Sequence, residues 1–580
     1  MGKTAYRTLS LAEIDALEAQ GCSAEDWQKI TVATEFTTDG IGRCRFKGEV
    51  RIGARTTIFN IGSHIANYEI GDDVCIENVG VIETVGESSF GNGTAVETIN
   101  ENGGRTVKIF DTLTAQIAYV AALYRHRPES VEAIGRIAET YAAKVRNRIG
   151  RIGQGARITN SNIIRNVRIG PAAEIEGVTI LSNGSVLSTP AAPTVIGAGV
   201  KMYDFIVADG TEIENDTLLK RCFVGQNVKL DNLTATNSLF FANSHFENCE
   251  ACSIFSGPFT VSHHKSSLLI AGMFSFFNAG SGTNQSNHLF KTGAVHQGIH
   301  QRGCKFASNG YVMLPCKNGA FTVIIGRHRS HADTENFPYS YLIENNEQSF
   351  LIPGQNLSSF GTVRDIDKWA KRDARKGPKN DNVNFEECNP YVGERMRNAV
   401  TILSGLLEDD EPEVYNWGRM KIKSTSAARG LKLYGAAMTK FIGAMLSEGK
   451  ADRVDGSGHW IDCAGQYMPS SAMNAILDNL ESGRTATPEA LAKEFETVMG
   501  RYADYACNWA LDVLRQELGH EPSDDDINAS IARGNRAERL IKELTDSDKE
   551  RDFDAMTMVG YGIDATDEQE QKADFDAVRR

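Results

Sequence analysis

Seven of the twelve histidines in this chain fall between residues 263 and 331: His263, His264, His288, His296, His300, His328 and His331. Imidazole is the side chain best suited to move a proton near neutral pH, and it is the commonest ligand for a borderline metal ion. Arg302, Lys305, Lys317, Arg327 and Arg329 interleave with these histidines. That mixture suits an anionic small molecule such as a sugar phosphate, a nucleotide or coenzyme A. A lone histidine is more often a satisfied structural group than a catalyst; the density of the cluster is what marks it. The surrounding stretch, 232–360, is rich in Asn, Ser, Gly, His and Phe, which reads as irregular coils whose loops carry a site.

The elements that must position this cluster announce themselves by a period of six. From Phe46 the series runs Ile52 and Ile58, breaks type at His64, and continues at Ile70, Ile76 and Ile82. A second run gives Ile152, Ile158 and Ile164, slips by one residue, and continues at Ile169, Ile175 and Leu181. A third gives Val200 and Ile206, skips Glu212, and returns at Leu218, Val224 and Leu230. Six is neither the helical period nor simple strand alternation. It predicts a parallel β-helix, a chain wound around a narrow prism with one short strand and one turn per face. Each coil alone leaves its apolar face open, whereas a stack buries one continuous column. His64, with Ile65 beside it, marks a one-residue register slip.

Five segments follow. Residues 1–39 form an N-terminal helical segment, with Ser10 and Glu13 placed as a capping box. Coils occupy 40–110, and a helical hairpin interrupts them over 111–147, where Leu113, Ile117 and Val120 share one helical face and Pro128 opens the second helix. Coils resume over 148–360 and turn irregular from 232. An α-helical domain fills 361–580, with helices over 392–407, 427–446 and 472–480, a long one opened by Thr487-Pro488-Glu489 and running to Leu514, and an acidic tail or peripheral helix at the end.

Composition bounds the function. The formal net charge of −14 argues against broad binding to nucleic acid or to an anionic membrane surface. No stretch approaches the length of a membrane span, and no secretory segment opens the chain. Eleven scattered cysteines read as reduced thiols, which points to the cytoplasm. Cys249 and Cys252 have metal-ligand spacing without a second pair, and Trp460-Ile-Asp-Cys reads as a packing segment.

The hexads resemble the left-handed β-helix of the hexapeptide-repeat acyltransferases and sugar-nucleotide-modifying transferases. Ser-Ile-Phe-Ser-Gly-Pro-Phe-Thr-Val-Ser-His-His-Lys (253–265), Asn-Gln-Ser-Asn-His-Leu-Phe-Lys (284–291), Gly-Ala-Val-His-Gln-Gly-Ile (293–299) and Gly-Ala-Phe-Thr-Val-Ile-Ile-Gly-Arg-His (319–328) are similar to a bacterial family known only as a domain of unknown function. That second likeness extends over most of the chain and supplies an architecture without a reaction. The transferase likeness implies a trimer and acyl transfer from coenzyme A, or a carrier thioester, to a sugar or nucleotide-sugar acceptor. Under it, His264 or His296 is the general base. His263 and His288 orient the base or touch substrate, Asn284 and Asn287 donate to the oxyanion, Arg327 anchors a phosphate or carboxylate, and His300 and His328 contact substrate.

Two alternatives use the same residues. The γ-type carbonic anhydrases share the left-handed β-helix and hold a metal through three histidines. Regular coils of about eighteen residues would stack His245 with His263, and His264 with His300, so His263, His264 and His300 are the candidate ligands. The third reading is a non-catalytic scaffold that binds a sugar nucleotide or phosphometabolite.

Overall fold

A computed structural model describes residues 5–286, 291, 293–408, 412–449 and 454–579. Its spine is a parallel β-solenoid in which every coil contributes a strand to each of three faces. On the first face Ile58 pairs with Ile76, Ile76 with Ile158, and the ladder continues through Ile175, Ile196, Ile213, Leu230 and Phe246. Ile65, Ile82, Ile164, Leu181, Met202 and Leu219 form the second. Ile70, Ile152, Ile169, Val186, Val207 and Val224 form the third. All of these side chains are sealed in one lumen. Each contributes roughly 1.5–3 kcal/mol by leaving water.

Coil length drifts along the stack. Partners across neighbouring coils lie 18 residues apart at Arg55 and Asp73, and 16 apart at Arg221 and Asn237. Corner asparagines in the left-handed region tie coils together through their amides, as in Asn60 to Asn78 at 2.7 Å and Asn232 to Asn248 at 3.0 Å. Ile65 takes the inward place that His64 vacates, with a register shift between Ile61 and His64.

The third aliphatic run differs from its expected register. Met202, Val207, Ile213 and Leu219 point inward, while Ile206 faces out of the stack. It starts an outer apolar ladder of Ile206, Phe223, Leu239, Phe255, Met273 and Ile299. A wall buried on both sides carries apolar residues at consecutive positions, so inward and outward beats look alike in sequence.

Both ends of the stack are stoppered. At the first, Tyr6–Thr8 runs antiparallel to Ile30–Ala33, and helix α1 (Leu11–Ala19) drops Leu17 onto the lumen. Ser10 and Glu13 form the capping box that opens α1. Within residues 1–39, Ser23–Ala24 and Ile30–Ala33 already pair in parallel with Arg45–Ile52, so the first coil begins there. At the other end Tyr341–Asn345 folds back on Gln348–Ile352, and a hairpin of Val414–Trp417 with Met420–Lys423 closes over Leu342.

Between Glu83 and Gly150 the chain leaves the stack and returns one coil later, with Ile152 seated directly on Ile70. Coils therefore stop at Glu83 and not at residue 110. The excursion holds an antiparallel pair, Ala95–Glu97 with Thr106–Lys108, then helices α2 (Ala115–Leu123) and α3 (Pro128–Val145). Thr114 caps α2 and Pro128 starts α3. These helices pack on the outer apolar ladder.

After the solenoid come α4 (Phe360–Lys371), α5 (Pro390–Glu408), α6 (Ser424–Glu448), α7 (Ser470–Glu481), α8 (Pro488–Gly500), α9 (Tyr502–Leu518), α10 (Asp524–Glu550) and α11 (Glu568–Val578). The single helix expected from Thr487 to Leu514 is two, broken at Arg501, where Gly500 ends the first. Helix α10 lies along α6 so closely that a Cβ on Gly443 would stand 2.7 Å from the Gly534 Cα. No described helix is long and apolar enough to cross a membrane.

Candidate functional site

Five consecutive coils place Lys229, His245, Val261, Asn278 and Lys305 in register on the outside of the first face. Because strand side chains alternate, the neighbours of inward Leu230, Phe246 and Phe306 must project outward. Helix α4 lies opposite this ladder and brings Asp365, Lys368, Trp369 and Arg372, whose spacing puts them on one helical face. Between the two runs a groove of about 390 Å³ with an aromatic floor. Phe259 stacks on Phe276 at 5.2 Å, and Trp369 meets Phe276 edge-on at 4.6 Å.

The groove is cationic. The buried Asp365 carboxylate contacts Lys305, Lys368 and Arg364, three positive groups around one negative. Burial, with Arg364 and Lys368 nearby, pulls the Lys305 ammonium down to about 8. Asp373 beside the groove is taken up by Arg375 at 2.8 Å, Lys379 at 2.7 Å and Asn243 at 3.0 Å, so it does not offset that surplus.

Three imidazoles line up at one edge. His245 bonds Glu247 at 2.6 Å, its ring centroid lies 5.8 Å from that of His263, and His263 lies 4.4 Å from His264. His263 titrates below the ordinary histidine range because of burial first and the charges of His264 and His245 second. A neutral imidazole in that position can accept a proton.

Of the residues singled out from sequence, His263 lines the groove and His264 adjoins it, exposed at the coil corner. His296 sits on the loop before strand Gly298–His300 and does not line the groove. Asn284 and Arg327 both belong to the second face, flanking Tyr311 in register, with the Arg327 guanidinium 5.3 Å from the Tyr311 ring centre. Asn287 and His288 lie outside the described residues.

His300 and His328 face the other way, into the lumen. The His300 ring stacks on Phe274 at 5.1 Å and 3°, hydrogen-bonded to the amides of Gln285 at 2.7 Å and Asn318 at 2.9 Å. His328 donates to the Ile325 carbonyl at 3.2 Å and accepts from the Ser349 hydroxyl at 2.8 Å. Neither can reach a ligand outside the stack. His263, His264 and His300 are therefore not assembled as a metal set, and among the described residues no three His, Cys, Asp or Glu side chains come together to hold an ion. Cys249 and Cys252 are two separate thiols, the first buried.

Lys229 and the α4 residues escaped sequence reasoning. The positions 365, 368, 369 and 372 do share a helical face, so that signal was present. Its docking onto the first face had no local signature.

The fold and groove define a β-solenoid protein with a helical C-terminal part and a cleft lined by positive side chains where the two meet. The chain belongs to the family described as Domain of unknown function (DUF4954), whose model matches residues 6–63 and 51–407. Residues 443–580 match a second model, Domain of unknown function (DUF6819). A relative described as an uncharacterized protein, from Treponema pallidum (strain Nichols), is 23% identical over 590 residues, covering 86% of this chain and 80% of its own length.

Proposed function

We propose that the protein is a transferase on a left-handed, hexapeptide-repeat β-helix, and that the groove beneath α4 holds the anionic part of coenzyme A or a phosphorylated substrate. The six-residue beat of buried aliphatics supports the scaffold. The observation that carries the site is the cationic surplus around Asp365, set on an aromatic floor and edged by imidazoles. Phosphate charge satisfies the first, and a base or ring system the second.

The reaction class is acyl transfer to a sugar or nucleotide-sugar hydroxyl. His263 is the base in this reading, in place of His264 or His296, because it alone of the three faces the groove. It takes the acceptor proton as the hydroxyl oxygen attacks the thioester carbonyl, then returns it to the departing thiolate when the carbon–sulfur bond breaks. His245, steadied by Glu247, sits behind it. A homotrimer and a cytoplasmic setting belong to the same proposal, the second supported by eleven free cysteines.

Calorimetry with coenzyme A and inorganic pyrophosphate tests the binding step. Lys305→Met should weaken both by about tenfold or more, the loss of one charge-assisted contact. His263→Asn should leave affinity in place and lower acetyl-coenzyme A turnover with a sugar acceptor by about a hundredfold or more. Wild-type protein that binds neither anion would end the proposal. Affinity should also decline as pH rises past about 8, where Lys305 loses its proton.

A further inference from the structure

A second cavity of about 260 Å³ opens on the third face, where the solenoid, α2, α5 and strand Trp460–Cys463 meet. It joins parts of the chain that match two different family models, and it contains none of the groove residues.

Two residues that line it each carry a buried polar atom without a partner. The Gln301 amide donates from Nε2 to Glu335 at 3.3 Å, but its Oε1 accepts nothing. The Arg395 guanidinium lies 3.6 Å over the Tyr391 ring and donates to the Tyr391 carbonyl at 2.8 Å, but its Nε donates to nothing. Both residues are more than nine-tenths buried. An acceptor and a donor left unsatisfied on two lining residues suit a group that is both.

At the mouth, His459 is held by Glu394. Its Nδ1 donates to Glu394 Oε1 at 2.7 Å, while the Trp460 backbone N–H donates to Oε2 at 3.0 Å. Burial works against the charged carboxylate, yet the bonds from His459 and Trp460 hold Glu394 below the usual glutamate range. With Nδ1 committed as a donor, Nε2 is the ring's acceptor.

Charge in this cavity is balanced, unlike the groove. Lys317 pairs with Glu335 at 2.7 Å, and Arg395 lies 3.7 Å from both Glu335 and Glu394. No surplus recruits an ion. The facing wall, Leu123, Met273 and Ile299, is apolar and suits the carbon face of a ring.

We propose that this cavity is a second ligand site, binding a neutral, hydroxyl-rich molecule of monosaccharide size whose hydroxyls meet Gln301 Oε1, Arg395 Nε and His459 Nε2. Saturation-transfer NMR on the full chain with glucose, N-acetylglucosamine and ribose tests it. At least one sugar should take up saturation, and inorganic phosphate should fail to displace it. Gln301→Leu and His459→Asn should each weaken that binding about tenfold, the loss of one hydrogen-bond partner. The His459 side chain is exposed, so His459→Asn keeps the fold whatever Gln301→Leu does, and circular dichroism checks both. No uptake by any of the three sugars, displacement by phosphate, or wild-type affinity in His459→Asn would overturn the proposal.

Discussion

His300 and His328 govern how this protein meets acid. Both are sealed neutral in the lumen, and burial pulls them to about 3 and about 4. Between those values and about 6.5 the unfolded chain binds protons that the folded chain refuses, so stability falls as pH drops through that window. For His328 the loss approaches about 3 kcal/mol by pH 4. Urea titrations near pH 7 and near pH 4 should show the drop, and His328→Asn should cut it to roughly half, the His300 share remaining, while costing stability at neutral pH. The histidine cluster was legible as a cluster, yet its orientation was not. In Gly298-Ile299-His300 a reader gives the inward place to isoleucine. The structure gives it to histidine, because Ile299 packs against the helical layer outside and His300 finds two amides within.

Strands of the third face work on both sides, and the outer ladder is what fastens the helical excursion to the spine. Phe223 is fully enclosed between lumen wall and helices. Phe223→Ser should cost about 3–5 kcal/mol, and hydrogen exchange should accelerate in α2 and α7 more than in the strands of the first face. The doublets Ile206-Val207, Phe223-Val224 and Leu239-Phe240 carried this information, since a strand apolar at successive positions is covered twice. Helix positions were also readable. Observed Pro390–Glu408 and Ser424–Glu448 contain the expected 392–407 and 427–446, because caps and Pro signals act locally. What α4 covers was hidden, since docking depends on chain brought from far away.

At the scale of the molecule, stability is held in a line of coils and a helical layer clamped along it. Within that layer Gly443 and Gly534 set how closely α10 docks on α6, with no room for a side chain on either. Gly534→Val should lever α10 off α6 and admit protease to Asp524–Glu550, leaving the solenoid fragment intact on a gel. The stopper at the first end has a different consequence. Tyr6–Thr8 runs against the grain of the coils, so it cannot serve as the start of another parallel coil, and Leu17 plugs the hole. Stripped of residues 5–22, the stack would present bare main-chain donors and acceptors at this end while the other end stays closed, and the shortened protein should associate through the bared end into a larger species measured by light scattering. The antiparallel ribbon is thus a terminator, setting a finite length on an architecture that has no inherent reason to stop.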